Sequence, residues 1–251
     1  MDRGHIFIVA TPIGNLGDMT YRAVETLSSV DLILCEDTRV TKILLDHYKI
    51  SKPLLVLNAH NESKMLLKVL EKLEDGLNCA LVSDAGTPCI SDPGVRLVNK
   101  LIGENIEVIG IPGVSAGILA LSICGLPTDS FVFEGFLPQK KGRQKKLSLL
   151  AAEERTIVLY ESTYRIKKLI EELSEYMPDR QIVVGRELTK KFEETWRGTS
   201  SQILAGLSEK VIKGEFVVII APKNWIESSH PDSNWKIKCT PLEANELLNR
   251  C

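Results

Sequence analysis

Between residues 5 and about 128 the chain repeats one pattern: a short, almost wholly apolar run, a loop, and a stretch with helical spacing. The runs at 5–10, 30–35, 54–57, 79–82 and 106–109 are rich in Ile, Val and Leu. Apolarity without alternation means that both faces are covered, as in strands of a parallel sheet flanked by helices. Met65, Val69, Leu70 and Leu73 carry helical spacing, and Gly76 offers a left-handed stop. A further helix is expected to open with Asp92 as N-cap and Pro93 at its first position. Val98, Leu101 and Ile102 form its stripe, and Gly103 closes it. Such alternation implies right-handed crossovers, and it sets the loops after the strands along one ligand-binding edge.

The texture changes after Gly125-Leu126-Pro127. Strands are expected at 131–136, 156–160, 182–186 and 216–221, with a further strand ending at Trp196. A helix over 165–176 carries Ile166, Leu169, Ile170 and Leu173 on one face and stops before Pro178. The expectation is an α/β chain of two domains: a parallel-sheet N-domain over 1–128 and a mixed-sheet C-domain over 131–222. An appendage follows over 223–251, with a helical pattern at 242–248.

Composition removes several classes of function. A net charge of −2 argues against a protein that coats nucleic acid over its whole surface, though not against a local basic patch. The six cysteines form no C-x-x-C pair, and several sit in apolar runs, as buried thiols do in a reducing compartment. With four scattered histidines and no H-E-x-x-H, a metal site has little support. No apolar run is long enough to span a bilayer, and the first residues show no signal-peptide pattern, so a cytoplasmic protein is expected.

Three Gly- and Pro-containing loops follow strands of the N-domain: residues 10–18, 83–94 and 110–116. One such loop is ordinarily just a βα turn; three at successive strand ends point to a ligand cleft. They contain no G-x-x-x-x-G-K-[ST] and no G-x-G-x-x-G, and no cation is placed to meet a pyrophosphate. Asp84 and Asp92 add negative charge instead. An acidic, carbonyl-rich cleft suits adenosine and a sulfonium cation, which points to S-adenosylmethionine.

The wording of these loops is itself informative. Thr11-Pro12-Ile13-Gly14-Asn15-Leu16, Glu36-Asp37-Thr38-Arg39, the run 83–94 and Ile111-Pro112-Gly113-Val114-Ser115-Ala116 resemble the tetrapyrrole-methylase superfamily. Within it they are most similar to the ribosomal-RNA ribose methyltransferases. Gly135-Phe136-Leu137-Pro138, Tyr160-Glu161-Ser162, Gly185-Arg186-Glu187-Leu188-Thr189-Lys190 and Lys213-Gly214-Glu215 extend the resemblance to about residue 222.

The resemblance implies a homodimer that methylates the 2'-hydroxyl of cytidine 1402 of 16S ribosomal RNA in the small ribosomal subunit. It also implies that Pro12, Asp84, Ala85, Gly86, Ile90, Ser91, Ser115 and Ala116 line the N-domain part of the cofactor site. From the linker and C-domain it adds Phe136, Leu137, Glu161, Glu187, Glu215 and Phe216. The ribose hydroxyl is a poor nucleophile, so a base or a charge that stabilises the alkoxide is needed. Glu36, Asp37, Glu161 and Glu187 are candidates for the base; Arg39, Arg186 and Lys190 are candidates for the charge. Glu36 to Arg39 reads equally well as a helix cap with a local ion pair.

Residues 139–146 hold five positive charges and no negative one. Lys140, Lys141, Arg143, Lys145 and Lys146 are therefore expected to contact RNA phosphates, against the plainer reading of a solvated linker. Aromatic content of 6% argues against an extensive base-stacking platform. Two rivals remain: a small-molecule methyltransferase of the tetrapyrrole type, and a nucleotide-binding module that has lost catalysis.

Overall fold

The computed structural model describes residues 3–207 and 213–225, and divides the chain into two units, residues 1–115 and 116–251. The first unit alternates strand and helix throughout. Its elements are β1 (Ile6–Val9), α1 (Tyr21–Ser29), β2 (Leu32–Cys35), α2 (Thr38–His47), β3 (Leu54–Val56), α3 (Glu62–Glu74), β4 (Cys79–Leu81), α4 (Val95–Gly103) and β5 (Val108–Ile111). The five strands form one parallel sheet in the order β3-β2-β4-β1-β5. Ile6, Leu34 and Leu81 pack under α3 and α4 with Val69, Leu73, Leu97 and Leu101. Val9, Ile33, Cys35 and Ala80 turn the other way, onto Ala23, Leu27 and Leu45 of α1 and α2. Both faces are covered, which is why the strands read as continuous apolar runs.

The second unit contains α5 (Ala116–Cys124), β6 (Phe131–Phe136), α6 (Arg143–Ala151), β7 (Thr156–Ser162), α7 (Ile166–Tyr176), β8 (Gln181–Arg186), β9 (Glu194–Thr199), α8 (Ser200–Leu207) and β10 (Glu215–Ile220). Its sheet is mixed, in the order β6-β7-β10-β8-β9; β6 and β7 are parallel, and every other neighbouring pair is antiparallel. Ile157, Leu159, Ile182, Val184, Val218 and Ile220 build the core with α6, α7 and α8. The opposite face of β7 and β10 meets α5. The expected α/β architecture, with one parallel and one mixed sheet, is what the chain forms.

The units part after Ser115, whereas the change of sequence texture comes after Pro127; α5 lies between these points and packs within the second unit. Gly76 adopts φ 85° just after α3, as a left-handed stop should. Helix α4 ends with Gly103, as expected, and the positive-φ residue beyond it is Asn105. The strand expected to end at Trp196 continues to Thr199. Cys35, Cys79 and Cys124 are buried free thiols. No helix among the described residues is long and apolar enough to cross a membrane. Most of the expected appendage, residues 226–251 with the pattern at 242–248, lies outside the described residues.

Candidate active site

In the first unit the carboxyl ends of β1, β2, β4 and β5 share one edge of the sheet, so their loops are neighbours. Thr11 and Gly86 exchange backbone hydrogen bonds of 2.9 and 3.1 Å. The Thr11 hydroxyl donates to the Ser83 carbonyl at 3.1 Å, and the Thr87 hydroxyl donates to the Val114 carbonyl at 3.0 Å. The loop after β4 is thus tied to the loop after β1 and to the loop after β5. Within it Gly86 adopts φ 82°, and two residues with side chains, Cys89 and Ser91, adopt φ 70° and 64°. Left-handed backbone at such residues is strain, and it concentrates where a loop has been shaped for a ligand. Pro12 and Gly86 are buried, Asp84 and Ser115 are half-buried, and Ala85, Ile90 and Ser91 are exposed.

The same edge collects acidic side chains. Asp37 is the N-cap of α2: its carboxylate accepts the Arg39 backbone N–H at 2.8 Å and pairs with the Arg39 guanidinium at 2.5 Å. Those hydrogen bonds from Arg39 hold the Asp37 carboxyl down at about 2. Asp37 and Arg39 therefore take the capping role. Meanwhile the Asp37 backbone N–H donates to Asp84 Oδ1 at 3.1 Å, linking the loops after β2 and β4. Burial raises Glu36, and the charges of Asp84 and Asp37 add to it. Asp84 is raised by burial and by Asp37, against the N–H it accepts. Asp92 is pushed up to about 6 by burial and by the charges of Glu36 and Asp84. Acids raised by burial and by neighbouring charge at a ligand edge are what a bound cation would relieve.

Asp92 does not cap α4. Gly94 stands at the cap at φ 124°, and the capping group comes from Glu62 at the start of α3. Glu62 Oε1 accepts the backbone N–H groups of Gly94, Arg96 and Leu97 at 3.2, 3.1 and 3.2 Å. Glu62 is buried and fixes the far end of the 83–94 loop. A sequence reading misses it because its partners lie more than 30 residues away.

In the second unit the expected residues are mostly committed to structure. Glu161 is 2% exposed; Arg165 Nε lies 2.8 Å from its Oε1, Arg143 lies 3.8 Å from its Oε2, and the Ser162 N–H donates to it at 2.8 Å. That carboxylate is therefore committed to two guanidiniums and a backbone N–H. The Glu187 carboxyl is raised by burial, but Lys190 and the Glu215 N–H outweigh that and hold it low. Lys190 also reaches Glu215 at 3.0 Å. Arg186 donates to the Lys213 carbonyl at 2.7 Å. Leu137 and Phe216 are core residues, so only their backbone can meet a ligand; Phe136 is exposed. Ala116 opens α5, where the Gly117 N–H donates to the Tyr160 hydroxyl at 3.0 Å.

The basic run is divided by the same geometry. Arg143 is 4% exposed, grips Glu172 with contacts of 2.6 and 2.8 Å, and donates to the Pro138 carbonyl at 3.1 Å. Arg143 is a buried brace and not a phosphate contact. Lys146 pairs with Glu134 at 2.6 Å. Lys140, Lys141 and Lys145 remain exposed. The signal was present in the sequence: Arg143 stands four and seven residues before Leu147 and Leu150, on their buried stripe.

With this geometry in view, comparison with known proteins is decisive. Residues 5–204 match the family model for tetrapyrrole (corrin/porphyrin) methylases. The chain belongs to that family. It is 52% identical over 220 residues to the ribosomal RNA small subunit methyltransferase I of Synechocystis, covering 87% of this chain and 79% of the relative. The protein of the same name from Thermotoga maritima is 44% identical, over 88% of this chain and 99% of its own. Among solved structures, cobalt precorrin-4 methyltransferase aligns with a TM-score of 0.66 at 19% identity, over 86% of this chain and 94% of its own. Uroporphyrin-III C-methyltransferase from Thermus thermophilus, complexed with S-adenosyl homocysteine, gives 0.61 at 17%, over 86% and 97%. At those identities the structures speak for the fold alone.

Proposed function

We propose that this protein transfers a methyl group from S-adenosylmethionine to the 2'-hydroxyl of cytidine 1402 of 16S ribosomal RNA, as a homodimer acting on the small ribosomal subunit in the cytoplasm. It is a methyltransferase of its family, with S-adenosylmethionine as methyl donor. The observation that carries the RNA substrate is the identity to ribosomal RNA methyltransferases over nearly nine-tenths of the chain. The donor set suits the cofactor: strained loops rich in carbonyls, and three raised carboxyls for a cationic centre. Bound S-adenosylmethionine supplies a methyl group activated by its sulfonium.

The residues of this chain bind, orient and accept a proton. Pro12, Asp84, Ala85, Gly86, Ile90, Ser91 and Ser115 lie on the loops that hold the cofactor, and holding the acceptor oxygen in line with the methyl supplies most of the rate gain. Of the four candidates for the base, Glu36 is the one we assign. Its carboxyl is raised by burial and by the charges of Asp84 and Asp37, and it makes no ion pair among the described residues, so it is free to accept the hydroxyl proton. Lys140, Lys141 and Lys145 meet phosphates.

Replacing the target nucleotide by its 2'-deoxy counterpart in otherwise native RNA tests the acceptor. Binding should persist and methyl transfer should vanish. Full-rate transfer to the deoxy substrate would place the methyl on a base. Transfer to a porphyrinogen but not to small subunits would return the small-molecule reading.

A further inference from the structure

We propose that the edge of the mixed sheet where β6, β7 and β8 end is an RNA-contact surface, on which Tyr164 and Phe192 stack against unpaired bases while Lys191 and Lys213 hold flanking phosphates. This rests on the reading that the substrate is RNA, and it adds a surface that lies outside the basic run.

Topology brings these residues together. β7 and β8 are both antiparallel to β10, and β6 is parallel to β7, so all three end at one edge. The loops at 163–165, 187–193 and 213–214 share that edge. They are stitched into one base: Arg186 Nε donates to the Lys213 carbonyl, the Thr163 hydroxyl donates to the Gly214 carbonyl, and Lys190 bridges Glu187 and Glu215. A Cβ at Gly214, whose φ is 105°, would collide with Glu187, so the chain here is closely fitted.

On that fixed base Tyr164 is 95% exposed and Phe192 66%. The Lys191 ammonium sits 5.8 Å from the centre of the Phe192 ring. Lys191 and Lys213 are exposed and make no ion pair among the described residues, whereas Glu187 and Glu215 are offset by Lys190. The surface therefore offers positive charge and aromatic faces together. The large apolar side chains exposed on this edge among the described residues are aromatic (Phe136, Tyr164, Phe192); the exposed aliphatic ones lie on other elements. A protein-docking face would draw on those aliphatic groups. Rings flanked by lysines are the chemistry that holds splayed nucleotides.

Fluorescence anisotropy with a single-stranded RNA oligonucleotide and with unmethylated small subunits tests this on the full chain. Tyr164→Ala and Phe192→Ala should each weaken binding about tenfold. Tyr164→Trp should restore affinity and Tyr164→Leu should not, since stacking needs a π-face. Lys191→Ala and Lys213→Ala should each flatten the salt dependence. Calorimetric affinity for S-adenosylmethionine should not move. Unchanged RNA affinity in the alanine variants, full rescue by Leu, or a changed sedimentation mass with RNA affinity intact would overturn the proposal; the last would make the edge a protein contact. Wild-type protein that binds S-adenosylmethionine but neither RNA probe would overturn the RNA reading itself.

Discussion

At the carboxyl edge of the parallel sheet, burial and neighbouring acidic charges raise the pKa of Glu36, Asp84 and Asp92, and Asp92 reaches about 6. At the edge where β6, β7 and β8 end, Glu161 and Glu187 are each held by an arginine or a lysine, and beneath it Glu172 is gripped by Arg143. Like charges kept together without counter-ions cost stability, and only a ligand recovers it; acids locked to cations hold a fold in register. The contrast assigns chemistry to the first edge and architecture to the carboxylates of the second.

The largest expected effect tests the architectural half. Glu161→Ala strands Arg165 and leaves Arg143 with Glu172 alone, and losing one member of a buried ion network costs about 3 kcal/mol. Glu36→Ala removes a destabilised charge and should cost almost nothing while abolishing methyl transfer. Urea unfolding of both variants reads the difference. Equal losses of stability would erase the contrast.

Glu62→Ala comes next, because it lies in the first unit and yet behaves like the acids of the second. It removes the acceptor for three backbone N–H groups at the start of α4, so a loss of about 1–2 kcal/mol is expected, with weaker binding of S-adenosylmethionine through the freed 83–94 loop. Glu62→Gln, which keeps an acceptor oxygen, should recover part of both. Cofactor affinity unchanged in Glu62→Ala would detach the loop from the site.

The sheets were legible in the sequence because their signal is local. Apolar runs report burial on both faces, and Gly76 reports a left-handed stop, each within a few residues. The cap of α4 was not legible: Asp92 and Pro93 imitate a helix start, while the true acceptor comes from another helix. Charge runs are worse guides. Residues 139–146 look uniformly solvated, yet Arg143 points into the core toward Glu172, 29 residues away. At the candidate site the loops were visible as motifs, but which carboxylate is spent on capping and which is left raised depends on partners brought together by folding. Asp37 and Glu36 are adjacent in sequence and opposite in their shifts.

Asp92 gives a smaller effect of opposite sign. Its folded-state pKa lies above its ordinary value, so the folded protein binds this proton more tightly than the unfolded chain does. The contribution of Asp92 to stability should therefore fall as pH rises from about 4 to about 6, and stay low above that. Asp92→Asn should raise the melting temperature at pH 7.5, do little at pH 4, and weaken binding of the cationic cofactor. A variant less stable than wild type at pH 7.5 would mean that Asp92 has an undetected partner and belongs with the paired acids.

The smallest effect on stability, and the finest test of the contrast, lies inside the basic run itself. Lys140 and Lys141 are exposed, whereas Arg143 and Lys146 are paired with Glu172 and Glu134. Neutralising Lys140 and Lys141 should change stability by less than about 0.5 kcal/mol, as surface substitutions do. Each should also remove close to one counterion from the salt dependence of RNA binding, because a lost phosphate contact releases no ion. Arg143→Met, by contrast, leaves Glu161 and Glu172 short of a partner; it should lower stability and leave the salt slope of the folded fraction near wild type, since a buried guanidinium never reached a phosphate. Anisotropy titrations at several salt concentrations, run beside urea unfolding, separate the two behaviours. If Arg143→Met flattens the slope as much as Lys140→Ala does, then Arg143 leaves Glu172 for the RNA when the substrate binds, and a residue placed here with the architecture would belong to recognition.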